Sequence, residues 1–148
     1  MSTKFNADLF SIGLFILRLG AGILMINHGY DKFIKFDEMH PKFMTFMGLN
    51  TSITLGLVVF AELFCSILLI LGLFTRLICI PLIILCIVIV FQVNNADVFG
   101  KAELGALYLS IYLALLFTGP GKFSIDHLMS KYVSGKRLRL KSDIPLQT

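Results

Sequence analysis

Four long apolar runs alternate with short polar stretches along this chain. They are Leu9 to Tyr30, Ile53 to Phe74, Leu77 to Val93 and Leu104 to Gly119. Crossing ~30 Å of hydrocarbon at 1.5 Å per residue takes about 20 residues, with a usual range of about 17–25. The first two runs meet that length, and the last two reach it with Gln92, Asn94 or Glu103 at the interface. The pattern predicts an all-α fold, an integral membrane four-helix bundle. Its helices fall at 9–30, 53–74, 77–93 and 103–119, within a transmembrane domain of residues 1–133 that is followed by a basic tail, 134–148.

The connections differ in character. Gly72 to Arg76 allows only a tight hairpin, so the second and third helices are antiparallel neighbours. Pro81 lies in the first turns of the third helix, where a missing backbone donor does limited harm. Gly119-Pro120-Gly121 stops the fourth. The loop from Asp31 to Ser52 interleaves Phe33, Phe36, Phe43, Met44, Phe46 and Met47 with charged residues. Such an amphipathic piece rests in the membrane interface, either capping the bundle or serving as a lid over a site.

Composition strengthens this reading. Of the 148 residues, 57% are hydrophobic and 15% charged, and the mean hydropathy is +0.87; soluble domains carry roughly 25% charged residues. The net charge of +4 comes largely from the end of the chain, as in the flanks of membrane helices, so no nucleic-acid partner is expected. Four crossings put Lys4, Arg76, Lys122, Lys131, Lys136, Arg137, Arg139 and Lys141 on one side. Only Lys32, Lys35, Lys42 and Lys101 remain on the other, so both the N and C termini are expected in the cytoplasm. The tail itself suits anionic lipid. Cys65, Cys79 and Cys86 lie in apolar runs without a CxxC, which fits neither a disulfide framework nor a dithiol motif. The first run, interrupted by Arg18 and lacking a small-x-small cleavage site, reads as a retained helix rather than a signal peptide.

Arg18 is the first candidate for chemistry. At a helix centre an arginine costs roughly 2.5–3.5 kcal/mol to insert, and an ionisable residue there calls for a partner. Counted from Leu9, Arg18 lies ~14 Å above one boundary; counted from Ile53, Glu62 lies ~14 Å below the other. Both depths are near the midplane, so an Arg18–Glu62 pair is expected, either as a structural clamp or as a functional polar cavity. A second polar layer holds His28, Gln92, Glu103, Asn27 and Asn94, with Tyr108 and Tyr112 at i, i+4 below. Glu103 suits His28 or Gln92 better than Arg18.

Haem in a bundle needs axial ligands on facing helices, and of the histidines only His28 is near the membrane interior. No spacing suits zinc or a di-iron centre, so no metal site is expected. No nucleotide loop or nucleophile elbow occurs. No built-in cofactor is expected; redox chemistry would need a partner's cofactor or a diffusible quinone.

Leu17-Arg18-Leu19-Gly20-Ala21-Gly22 and His28-Gly29-Tyr30-Asp31-Lys32-Phe33 resemble the first-helix signature of the DoxX family. Glu62 ahead of Leu71-Gly72-Leu73-Phe74-Thr75-Arg76 extends the likeness, as do Glu103 and Thr118-Gly119-Pro120-Gly121-Lys122-Phe123-Ser124-Ile125-Asp126. The resemblance implies a four-helix, multi-pass protein of the bacterial inner membrane. Family relatives include a small subunit of a thiosulfate- or quinol-linked oxidase and members that work with thiol and oxidant-defence enzymes. The expectation is a non-haem oxidoreductase subunit that works with partner subunits on quinone or a small sulfur or thiol species. Arg18 and Glu62 form its site, with His28 and Glu103 at the mouth. The alternative is a structural or chaperone-like scaffold with no activity of its own; a proton-coupled transporter fits less well, for want of broken helices or an inverted repeat. Gly13, Gly20, Gly22 and Gly29 permit close helix contacts, within the bundle or in a homo-oligomer.

Overall fold

A computed structural model of the protein describes residues 6–142, with side chains described to residue 133. Helix α1, Ala7–Ile34, opens at Asn6, whose side chain accepts hydrogen bonds from the Asp8 and Leu9 amides at 3.0 and 3.3 Å. It runs past its predicted end at Tyr30 and carries Lys32 as helix rather than loop. A short helix α2, Phe36–Met39, and a 3-10 turn at His40–Lys42 follow. Helix α3, Thr51–Leu71, starts at an Asn50 cap and ends at Gly72, whose φ of +68° suits glycine. Helix α4 is Thr75–Val93, α5 is Glu103–Thr118 and α6 is Ile125–Ser142.

Helices α1, α3 and α4 are long and apolar enough to cross a membrane, and α5 is apolar but shorter. No strand occurs among the described residues. Large apolar side chains such as Ile16, Leu77 and Leu107 point outward, as they do where the solvent is hydrocarbon. Inside, Leu14, Met25, Leu69, Leu82, Leu115 and the three cysteines form a continuous core with Tyr108 and Tyr112.

Helix α1 lies against α3 at two glycines. A Cβ added at Gly29 would stand 2.9 Å from the Glu62 Cβ and from the Leu63 amide nitrogen. One added at Gly22 would collide with Ile70. Gly13 and Gly20 face open space instead. These contacts set the register, with Gly29 level with Glu62 and Arg18 level with Gly72 at the opposite end.

Two helices widen locally into π turns, α3 over Phe60–Cys65 and α4 over Ile89–Val93. The second closes with the Asn94 amide donating to Ile89 O at 3.1 Å. Single π turns inside α-helices recur at functional sites, and both of these lie toward the end of the bundle away from Asn6.

Helix α6 has no counterpart among the predicted elements. Ser124 caps it, its hydroxyl accepting the His127 amide at 3.1 Å. Its backbone carries the helix into the predicted tail as far as Ser142. The side chains of Lys136, Arg137, Arg139 and Lys141, the residue Lys4 and the end of the tail lie outside the described residues.

Candidate functional site

The expected Arg18–Glu62 pair does not form. On α1, Arg18 and Glu62's actual partner, Lys32, are fourteen residues apart, or ~21 Å along the axis. Side-chain direction widens the separation. Cα–Cβ bonds tilt toward a helix's own N-terminus, and α1 and α3 run antiparallel. Arg18 therefore leans toward the Asn6 end, and Glu62 leans toward the far end.

Arg18 enters a tight polar knot made by three chain segments. Its Nη2 donates to the Phe123 carbonyl, and its guanidinium lies 5.8 Å from the Phe15 ring centroid. A Cβ at Gly72 would clash with that guanidinium and stand 2.6 Å from the Ser124 Cβ. The Asp126 carboxylate accepts the Phe74 and Thr75 amides at 2.8 and 2.9 Å, while the Asp126 amide donates to Gly72 O at 3.0 Å. The knot binds the α3–α4 turn to the segment after α5. Arg18 Nε and Nη1 have no hydrogen-bond partner there.

Glu62 is the centre of the other polar site. It sits in the π turn of α3, 2% exposed, and Lys32 Nζ donates to its two carboxylate oxygens at 2.8 and 2.6 Å. Gly29, one turn before Lys32, lets the α1 backbone come close enough for this reach. The pair borders a cavity of about 280 Å³, with Phe43 and Met44 of the loop on one side and Leu85, Val88, Ile89 and Val93 of α4 on another. An ammonium carries three donors and no acceptor. With Glu62 engaged, Lys32 can still present a proton to a third oxygen.

His28 stands one turn before Lys32 on the same helix, exposed and within electrostatic range of Glu62. Glu103 is not part of this group. It is exposed on a surface hollow with Lys101, Leu107 and Ser110, and no hydrogen bond or ion pair among the described residues joins it to His28 or Gln92. It opens α5 on a different face. Tyr108 and Tyr112 are buried instead in the core, rings stacked 5.9 Å apart at 18°.

Lys32 is the residue that sequence reasoning missed, because hydropathy ends the first run at Tyr30. The signal was present in its spacing: four residues after His28 and three after Gly29, Lys32 shares their helical face.

A model of the family described as DoxX matches residues 13–95, more than half of the chain. The chain belongs to the DoxX family. Its apolar helices and this membership make it a multi-pass membrane protein with a helical bundle fold. The match takes in both Arg18 and the Glu62–Lys32 site and stops before α5, so Glu103 and Thr118 to Asp126 lie beyond it. No curated protein and no solved structure matches the chain.

Proposed function

We propose that this DoxX protein is a non-haem subunit of a membrane redox complex, and that it holds a quinone, or a small sulfur species, beside the Glu62–Lys32 pair. The observation that carries the reading is a buried carboxylate, on a π turn, paired with a lysine at the wall of a cavity. Intramembrane charges are costly and tend to mark pathways. Lys32 suits a carbonyl oxygen of an oxidised quinone head. Glu62 suits a hydroxyl of the reduced form. His28, exposed one turn before Lys32, stands at the mouth in this reading. Electrons would leave to a redox centre on a partner subunit, and the cytoplasmic termini and the bacterial inner membrane belong to the same proposal.

Purified protein in lipid nanodiscs is expected to bind a short-chain benzoquinone. Lys32→Met is expected to weaken that binding about tenfold, the worth of one hydrogen bond from a charged group. Thiosulfate in place of the quinone tests the small sulfur species. If neither binds, with or without copurifying partners, the reading fails.

A second reading, the scaffold, draws on the Arg18 knot. There the arginine is fully buried and its bonded partner is the chain's own backbone, as in a clamp that locks segments together.

A further inference from the structure

Beside the Glu62 cavity lies a second one of about 200 Å³. Met44 and Phe46 roof it from the loop, Leu57 and Val58 wall it from α3, and Pro81 and Ile84 wall it from α4. Its wall holds one hydroxyl, Thr54 Oγ1, which is already engaged: it donates to Asn50 O at 3.1 Å and accepts the Phe46 amide at 3.3 Å. Pro81 has no amide proton to offer. The cavity therefore presents hydrocarbon and almost nothing that can hydrogen-bond.

The two cavities adjoin, sharing Met44, Val58, Leu85 and Val88 as lining residues. At the rim, Leu57 and Ile84 are 51% and 49% exposed. On membrane-crossing helices that exposure faces lipid, so the groove opens sideways into the bilayer. The groove is apolar and open to hydrocarbon, and the cavity adjoining it ends at a charged pair. We propose that this groove holds the hydrocarbon chain of a tailed quinone that enters from the lipid between α3 and α4 and places its head at Lys32 and Glu62. The inference rests on the functional reading above and narrows its ligand to a lipid-soluble amphiphile. A neutral head fits better than a phosphate. Glu62 already neutralises the charge of Lys32 and would repel an anion, and Lys42, the other cation of the lining, is exposed.

Moving a tail from lipid into an apolar groove gains little hydrophobic free energy, since lipid is as apolar as leucine. Position, rather than affinity, is therefore the measurement. Full-length protein in phosphatidylcholine nanodiscs is irradiated with a decyl benzoquinone carrying a diazirine at the end of the chain. A second probe carries the diazirine on the ring. The tail probe is expected to label the peptides around Leu57 and Ile84, and the ring probe those around Lys32 and Glu62, with both signals removed by excess unlabelled decyl quinone. Lys32→Met is expected to lower groove labelling about tenfold, because Lys32 holds the quinone carbonyl and the head anchors the tail. Ile84→Trp is expected to reduce groove labelling to background while ring labelling persists; Leu57→Trp, on the opposite wall, repeats the test should the first variant fold poorly. Ring labelling at Glu62 with tail labelling spread over the lipid-facing surface overturns the groove and leaves the head site standing. Groove labelling that phospholipid alone displaces also overturns it, and absence of competed labelling at both places overturns groove and head site together.

Discussion

Glu62 and Lys32 make an ion pair between a buried carboxylate and a half-buried lysine, and losing one partner differs from losing both. Removing one partner from such a pair typically costs about 3–5 kcal/mol, whereas replacing both with apolar residues can be neutral or stabilising. Glu62→Met alone and Lys32→Met alone are each expected to lower the thermal midpoint in detergent, and the double variant to recover most of the loss. If the recovered double variant still binds quinone as the native protein does, the pair is a clamp and the functional reading is wrong. At the other end of the bundle, Asp126 spans the α3–α4 turn with two carboxylate bonds to backbone amides. Asp126→Ala is expected to cost about 1–3 kcal/mol, the worth of hydrogen bonds to a charged group. Asp126→Asn, which keeps one acceptor oxygen, should cost less by the same thermal measurement.

Helix contact decides which glycines matter. Gly29 brings α1 against the π turn that carries Glu62, where an added Cβ meets backbone rather than a side chain that can swing aside. Gly29→Ala is expected to cost about 1–3 kcal/mol, as overpacking does, and to weaken quinone binding along with it. Gly20 faces open space, and Gly20→Ala should be neutral or stabilising by roughly 0.5–1 kcal/mol, since alanine is the better helix former. A denaturation series on the two variants in one detergent separates them. Equal losses would mean that α1 packs on a different face. Helix α6 shows what a sequence reading can still recover at this level. Ser124 followed by Ile125, Leu128, Met129, Tyr132 and Val133 is a cap and an amphipathic period, in an apolar stretch too short to cross a membrane.

The molecule as a whole places one polar centre near each end of the bundle, the Arg18 knot beside the α3–α4 turn and the Glu62 site beneath the α1–α3 loop. In the proposed orientation, which follows the lysine and arginine distribution, the loop end faces the outside of the cell. Cysteines introduced at Met47 and Phe99, which are 86% and 97% exposed, are expected to react with a membrane-impermeant maleimide in intact cells. One at Ser130 should react only after permeabilisation. The native Cys65, Cys79 and Cys86 are buried and should leave the background silent. The reverse pattern would invert the orientation. Hydropathy made the apolar helices legible in the chain, because burying a backbone in lipid requires long apolar segments whatever their neighbours. The cost of an intramembrane charge likewise drew attention to Arg18 and Glu62. Their partners were not legible, because a partner depends on register and on the direction in which each side chain leans. Two close-packed glycines and a pair of antiparallel helices set those, so that Glu62 meets Lys32 and Arg18 meets the Phe123 carbonyl from a distant part of the chain.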